Sequence, residues 1–325
     1  MSEVSDGVHA IDKAKAEEHS RLIEAMRRTL GEQICAVFED PTAVEILLND
    51  DGRVLVERHG QGIAELTTMT AARADSLLSR MAHYRGTTVG KDRPIVEGAM
   101  PAEFRRARFA GCIPPLTPAP TFAIRLPATK IFTLEDYVAR GILTPEQCEG
   151  LKKAVEERKN ILVSGGTSSG KTTMVNALSD YVARISGLNQ RIVILEDTRE
   201  LVCNAPNTVQ MLTDPDAGID LTRLLKLTMR YRPDRIFVGE VRDGAALALL
   251  KAWGTGHPGG LATLHANSTL GSLTRLDQLC QEAGVPSQRH LIEEAVDVVV
   301  QIARDPGHPA GRRVTDIRFF EGPKL

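Results

Sequence analysis

One glycine-rich segment constrains this chain more than any other, because it joins a strand-like run to a helix-like one. Residues 165–172 read Gly-Gly-Thr-Ser-Ser-Gly-Lys-Thr. The apolar run at residues 161–163 stands directly before this segment and predicts a buried strand. Apolar residues at helical spacing follow it, namely Met174, Val175, Leu178, Tyr181, Val182 and Ile185. The order strand, glycine turn, helix is typical of an α/β fold.

A turn of this kind is suited to holding phosphates. It matches the pattern G-x-x-x-x-G-K-[ST], in which glycines let the backbone wrap around phosphate oxygens. The N–H groups and dipole at a helix N-terminus attract anions. We therefore predict ATP and Mg²⁺ as cofactors, with Lys171 reaching the β- and γ-phosphates and Thr172 as the metal ligand. The predicted nucleotide-binding residues are Gly165, Gly166, Thr167, Ser168, Ser169, Gly170, Lys171, Thr172 and Thr173. The alternative is an ordinary glycine-rich turn with an incidental lysine.

Three later apolar runs end in polar side chains that could serve the same site. Glu196 follows residues 192–195, Glu240 follows residues 236–238 after one glycine, and His265 ends a third run. Ligands of open α/β sheets lie outside the carboxyl ends of the strands. One acid could polarise water and the other could hold the Mg²⁺ shell, while the histidine donates to a γ-phosphate. The alternative for each acid alone is a helix cap or a turn residue.

Upstream of this region the patterns differ and predict a separate, smaller domain. Helices are expected over residues 10–30 and 71–84, and a β-hairpin over residues 44–48 and 53–58 with Asp-Gly at its tip. Further strands are expected at residues 106–113 and 121–126, joined by a proline-rich loop. Residues 134–158 predict two helices interrupted by a turn. We therefore predict an N-terminal α+β domain at residues 1–128 and an ATPase domain with a parallel sheet at residues 129–325.

Composition limits the partners. The formal net charge is −2 and aromatic residues make up 4% of the chain, so direct nucleic-acid binding is not expected. No stretch approaches the ~20 apolar residues that span a bilayer. The expected location is cytoplasmic, with peripheral attachment to a membrane left open.

The order of these elements resembles a known superfamily. Residues 165–172, 195–201, 232–242 and 263–268 resemble the Walker A, Asp, Walker B and His boxes of the secretion ATPases. That superfamily includes the VirB11-type ATPases of type IV secretion and the motors of type II secretion and type IV pili. Upstream segments resemble its N-terminal domain, at residues 47–52, 93–98, 108–115 and 120–125. The TrbB-type conjugal transfer branch of the VirB11 group is the most similar.

The resemblance implies a RecA-like P-loop domain in a homo-hexameric ring, with ATP between the two domains. By this likeness Glu240 activates water, Glu196 helps to organise Mg²⁺ and water, and His265 senses the γ-phosphate. Arg108 and Arg125 match arginines that approach the phosphates, either within or between subunits. The implied partners are further copies of the chain and inner-membrane components of a conjugative secretion system.

Three alternatives stay open at this point. The chain could power type II secretion or a type IV pilus, although it lacks the tetracysteine zinc insert of many type II motors. It could be a nucleotide-gated assembly scaffold that scarcely turns over, or a nucleic-acid translocase.

The segment at residues 103–107 departs from the family pattern, so the alignment of Arg105, Arg106 and Arg108 can shift by a few positions.

Overall fold

The computed structural model divides the chain into two compact units, Met1–Thr129 and Lys130–Leu325. Each unit has an apolar core of its own. The structure describes residues 2–58, 61–127, 131–215 and 217–320, with side chains from residue 16 onward. None of the helices in these stretches is long and apolar enough to cross a membrane.

The first unit is an antiparallel sheet packed against helices. Its helices are α1 (Ser2–Leu30), α2 (Glu32–Val37) and α3 (Ala71–Tyr84). Its strands are β1 (Ala43–Leu48), β2 (Arg53–Arg58), β3 (Gly62–Thr68), β4 (Ile95–Ala99), β5 (Arg108–Cys112) and β6 (Thr121–Arg125). They lie in the order β3-β2-β1-β6-β5-β4, and every neighbouring pair is antiparallel. This arrangement confirms the expected α+β class of the N-terminal domain.

Local signals explain the elements of this unit that the sequence predicts. The β1–β2 hairpin turns at Gly52, whose φ of 85° lies in the left-handed region that glycine tolerates. The helix α3 begins after Thr70, whose side chain accepts a hydrogen bond from the N–H of Arg73. The sequence pattern does not predict α2, β3 or β4. β3 is an edge strand with mostly exposed residues, so it lacks the apolar alternation that would have revealed it.

The second unit is a seven-stranded sheet surrounded by helices. Its helices are α4 (Leu134–Ala139), α5 (Pro145–Glu156), α6 (Lys171–Ile185), α7 (Leu221–Thr228), α8 (Ala245–Gly254), α9 (Thr269–Gln281) and α10 (Arg289–Ala295). Its strands are β7 (Ile161–Ser164), β8 (Ile192–Glu196), β9 (Thr208–Leu212), β10 (Arg235–Val241), β11 (Leu261–Leu264), β12 (Val298–Arg304) and β13 (Arg312–Phe319). The two helices predicted over residues 134–158 are confirmed, each with a capping box at its start.

The strands of this unit lie in the order β13-β12-β7-β11-β10-β8-β9. Six of them are parallel, and β13 runs antiparallel to β12 at one edge. The expected parallel sheet is therefore confirmed for six strands, with one antiparallel edge that the patterns do not reveal. Because these strands are parallel, the carboxyl ends of β7, β11, β10 and β8 lie at the same edge of the sheet.

Burial on both faces explains why the strands before the predicted site are continuous apolar runs. Ile161 and Val163 belong to the apolar cluster on one face of the sheet, and Leu162 between them belongs to the cluster on the other. In β8 the same alternation places Ile194 on the first face and Leu195 on the second. A sheet covered by helices on both faces requires this pattern.

Candidate nucleotide-binding site

The glycine-rich segment forms a tight loop between the end of β7 and the start of α6. A β-carbon at Gly165 would lie 2.5 Å from Ser169 Oγ, and closer still to the carbonyl oxygen of Ile302 on β12. Only glycine fits at that position. Gly170 adopts a φ of 103°, which also favours glycine, and leads directly into the helix.

The inside of the loop has the polar groups that a phosphate requires. Ser169 is 2% exposed, and its Oγ has no hydrogen-bond partner among the described residues. The backbone N–H groups of the first turn of α6, at Lys171, Thr172 and Thr173, have no acceptor within the helix itself. Gly166, Thr167 and Ser168 form the exposed tip of the loop. An orphaned hydroxyl beside the N–H groups of a helix N-terminus fits an oxygen-rich anion.

Lys171 lies at the mouth of the loop. The residue is 8% exposed, and its Nζ donates hydrogen bonds to the carbonyl oxygens of Gly165 at 3.1 Å and Gly166 at 2.9 Å. Both ring nitrogens of His265 lie 3.4 Å from this ammonium. The loop therefore holds one positive charge where the ends of β7 and β11 meet.

Glu196, the last residue of β8, and Glu200 in the turn after it make different contacts. Thr172 Oγ1 donates to Glu200 Oε2 at 3.2 Å, so Glu200 is the carboxylate that contacts the predicted metal ligand. Glu196 Oε1 accepts from the N–H groups of Glu200 at 3.0 Å and Leu201 at 2.8 Å. Its other oxygen accepts from Gln210 Nε2 at 2.6 Å. Glu196 thus shapes the turn that presents Glu200 to the loop.

Glu196 is only 3% exposed, and this burial raises the pKa of its carboxyl above the usual 4.5. The hydrogen bonds from the backbone at Glu200 and Leu201, and from Gln210, pull the pKa in the opposite direction, but burial is the larger effect. A negative charge at Glu196 therefore costs free energy that those three donors only partly offset.

Glu240, at the end of β10, completes the edge. Its Oε1 lies 3.1 Å from His265 Nε2, and its Oε2 lies 3.7 Å from Arg242 Nε. Arg242 also pairs with the carboxylate of Asp197 at the end of β8. Side-chain contacts thus link the carboxyl ends of β11, β10 and β8.

The environment of His265 favours its neutral form. Burial and the neighbouring charge of Lys171 lower the pKa of the imidazole below 6.5, with a smaller contribution from Arg242. Glu240 acts in the opposite direction without reversing the result. A neutral ring between an ammonium and a carboxylate can accept a hydrogen bond at one nitrogen and donate a hydrogen bond from the other.

Comparison with known proteins assigns the chain to a family. The signature of the type II/IV secretion system proteins matches residues 105–316. The chain belongs to this family. The probable conjugal transfer protein TrbB of Sinorhizobium fredii is 46% identical over 308 residues, covering 94% of this chain and 92% of that protein. The conjugal transfer protein TrbB of Rhizobium radiobacter is 44% identical over 304 residues, with the same coverage.

A solved structure shares the fold of this chain. The pilus retraction motor PilT, determined with bound ADP, matches with a TM-score of 0.68 at 20% identity. The match covers 90% of this chain and 84% of that one. This likeness confirms the α/β ATPase fold expected for the chain.

Two arginines that the resemblance singles out are cross-strand neighbours in the first unit of this secretion-family chain. Arg108 at the start of β5 and Arg125 at the end of β6 are register partners in the antiparallel sheet. Residues that face each other across such a pair project to the same side. Arg105 has a different role, because its guanidinium donates to the carbonyl oxygens of Phe38 and Pro127 and so ties the unit together.

The arginines before β10 are not at the loop. Arg230 and Arg232 precede the strand and Glu240 lies near its end, so the two sets occupy opposite edges of the sheet. Arg235 is 1% exposed and donates to the carbonyl oxygens of Val155 at 3.1 Å and Gly259 at 3.3 Å. Burial also lowers its pKa to about 10. Because Arg235 is buried and bonded to two backbone carbonyls, it is a structural residue of the core.

Sequence reasoning missed two residues of this site. Glu200 lies in the segment that resembles the Asp box, but the motif alone does not reveal that its carboxylate reaches Thr172. Gln210 lies on β9 outside every motif, and only the pairing of β9 with β8 brings it to Glu196. The described residues contain no cluster of three or more His, Cys, Asp or Glu side chains that could hold a metal ion.

Proposed function

We propose that this protein hydrolyses ATP to power a conjugative type IV secretion system. The observation that carries the proposal is the meeting of Lys171, Glu240 and His265 at the mouth of a glycine-rich loop. A loop alone would bind phosphate. A carboxylate 3.1 Å from a histidine beside that loop adds the groups that hydrolysis requires.

The loop and the start of α6 bind the nucleotide in this proposal. The N–H groups of residues 169–173 hold the phosphate oxygens, and Lys171 exchanges its bonds to loop carbonyls for bonds to the β- and γ-phosphates. Thr172 and Glu200 fit a hydrated Mg²⁺, because hydroxyl and carboxylate oxygens suit this hard cation. Bound there, Mg²⁺ would neutralise charge on the terminal phosphates.

Glu240 orients and deprotonates the attacking water. Neutral His265 has a single N–H, which holds the Glu240 carboxylate in place through Nε2 or, once ATP is bound, donates towards the γ-phosphate instead. Arg242 and Asp197 fix the other side of Glu240. Glu196 acts indirectly, by holding the turn that carries Glu200. Arg108 and Arg125 supply positive charge to the developing anion from the N-terminal domain of the same or a neighbouring subunit.

The relatives support a conjugative system over a type II secretion or pilus motor. Both TrbB proteins are named for conjugal transfer and are more than 40% identical to this chain over nearly its whole length. The likeness to PilT supports the fold alone. We propose a cytoplasmic homo-hexamer that acts on inner-membrane components of the transfer apparatus, with peripheral membrane contact through them.

Replacing Glu240 tests the catalytic assignment. Glu240→Gln is expected to lower kcat for ATP by ~10²–10⁴-fold, the usual contribution of a general base. Glu294→Gln, an exposed carboxylate on α10, is the matched control and should keep wild-type turnover. Equal kcat in the wild type and Glu240→Gln would remove Glu240 from the mechanism. Binding of ATP without turnover in the assembled wild type would favour the scaffold alternative.

Mass measurement in solution tests the ring. We expect hexamers in the presence of ATP and Mg²⁺ at micromolar subunit concentration. A strictly monomeric protein under every nucleotide condition would reject the ring, while leaving the nucleotide site itself open to the Glu240 test.

A further inference from the structure

A pair of arginines that no motif indicates lies beside the phosphate loop. Arg304 ends β12 and Arg312 begins β13, and the two are register partners at the turn end of this hairpin. Because β12 pairs with β7, the end of the hairpin lies next to the loop that follows β7. The arginines therefore approach the loop from the neighbouring strand pair, and not from the residues that precede or follow the loop in the sequence.

Both guanidinium groups touch the loop. Arg304 Nε donates to the carbonyl oxygen of Ser168 at 3.2 Å. Arg312 Nη1 lies 2.5 Å from the position that a β-carbon on Gly170 would occupy, so the guanidinium packs directly against this glycine. A residue larger than glycine at position 170 would displace Arg312. The glycine thus lets the guanidinium approach the start of α6 as well as allowing the loop to turn.

These charges have no acidic partner in the part of the chain that the structure describes. The nearby acid of the hairpin, Asp305, pairs with Arg313 at 3.0 Å. Arg140 lies close enough to oppose the charge of Arg312, and its own guanidinium lies 4.8 Å from the ring centre of Phe132. Burial, and then the like charges of Arg140 and Arg304, lower the pKa of Arg312, although Tyr137 acts in the opposite direction. Such a cluster is stabilised when an anion joins it.

The strand order shows which part of the nucleotide these arginines face. β12 lies on one side of β7, and β11 and β10, which lead to His265 and Glu240, lie on the other. Lys171 approaches His265, so the γ-phosphate belongs on that flank. Arg304 and Arg312 occupy the opposite flank, away from the bond that is cleaved.

We propose that Arg304 and Arg312 bind the α- and β-phosphates, the part that ADP and ATP share. The proposal rests on the proposed function, because it requires a nucleotide in the loop. It assigns these arginines to nucleotide affinity and to the retention of ADP after hydrolysis. Arg140 adds long-range attraction without being required for contact.

Calorimetric titration of the full chain with ADP, and separately with the non-hydrolysable analogue AMP-PNP, tests the assignment in the presence of Mg²⁺. Arg304→Gln and Arg312→Gln should each weaken both ligands by about 10-fold or more, the loss expected for one charge-assisted hydrogen bond to phosphate. The factor should be the same for both ligands within about twofold. Arg313→Gln, which removes the neighbouring arginine paired with Asp305, should bind both ligands like the wild type.

Two results would overturn the proposal. Unchanged affinity in both variants would show that the arginines do not contact phosphate. A loss confined to AMP-PNP would move them to the γ-phosphate. Wild-type protein that binds neither ligand would reject the proposed function itself, which is a separate failure. Should Arg312→Gln not fold, the exposed Arg304→Gln makes the same comparison of ADP with AMP-PNP by itself.

Discussion

Replacing Gly165 with alanine tests the geometry of the loop most directly. The added β-carbon would lie 2.5 Å from Ser169 Oγ, at least 0.5 Å inside the 3.0 Å that real β-carbon contacts respect. The carbonyl oxygen of Ile302 is closer still and belongs to the backbone of β12. A hydroxyl can rotate away, but a strand in mid-sheet can retreat only by disturbing its neighbours.

The expected cost follows from this clash. Overpacking of a close-packed site destabilises by ~1–3 kcal/mol. For a domain of this size that corresponds to a fall in Tm of roughly 2–4 °C per kcal/mol, or about 2–12 °C in total. Displacement of the loop should also weaken ADP binding by about 10–100-fold, since a lost hydrogen bond to a charged group costs about 1.5–3 kcal/mol. Thermal unfolding with and without ADP and Mg²⁺ measures both effects.

Gly166→Ala is the matched control for stability. A β-carbon there meets no protein atom within 4 Å, and its φ lies outside the left-handed region. Its free energy of unfolding should therefore stay within ~0.5 kcal/mol of the wild-type value, as is typical of surface changes, and its Tm should hardly move. A Tm of Gly165→Ala equal to that of the wild type, or an equal fall in both variants, would refute the steric argument.

Three further predictions concern arginine and histidine side chains. Arg235→Ala should destabilise the protein by about 3 kcal/mol or more in urea unfolding, because buried carbonyls lose their donor. Arg275→Ala should change little, because this side chain is 42% exposed and forms a surface ion pair. Equal unfolding curves for these two variants would contradict the structural role of Arg235. Because the pKa of His265 is lowered from 6.5, its neutral form persists below that pH, so kcat/KM should hold its plateau down to pH 6.5 and decline only below it. A decline that begins above pH 6.5 and disappears in His265→Gln would contradict this sign. Arg105→Ala should lower Tm through two lost bonds to backbone carbonyls, whereas Arg108→Ala should keep Tm and lower kcat by roughly 10³-fold. A loss of kcat in Arg105→Ala together with a loss of Tm in Arg108→Ala would contradict both assignments.

Much of the fold was predictable from local patterns. The run at residues 161–163 and the helical stripe behind the loop appear as β7 and α6, because burial on both faces of a sheet and on one face of a helix leaves a direct mark on the sequence. The exposed edge strand β3 and the antiparallel edge strand β13 have weaker sequence patterns. Edge strands can carry polar residues on both faces, so no alternation distinguishes them from loops.

The site was predictable to the level of its motifs. Lys171, Glu240 and His265 meet as expected, because carboxyl ends of parallel strands converge on one edge of the sheet. Glu196 lies at that edge too, but its oxygens hold a turn and Gln210, while Glu200 reaches Thr172. Capping and metal contact require the same residue types, so a motif cannot separate them.

The sequence by itself determined the glycine-rich loop between β7 and α6, the order of the polar strand ends behind it and the family to which they belong. These features are contiguous or strictly periodic, so they survive without knowledge of the fold. Only the tertiary structure decided that Gln210 supports Glu196 and that Arg304 and Arg312 lie against the loop. Neighbouring strands are chosen by packing between distant parts of the chain, and no local spacing encodes that choice.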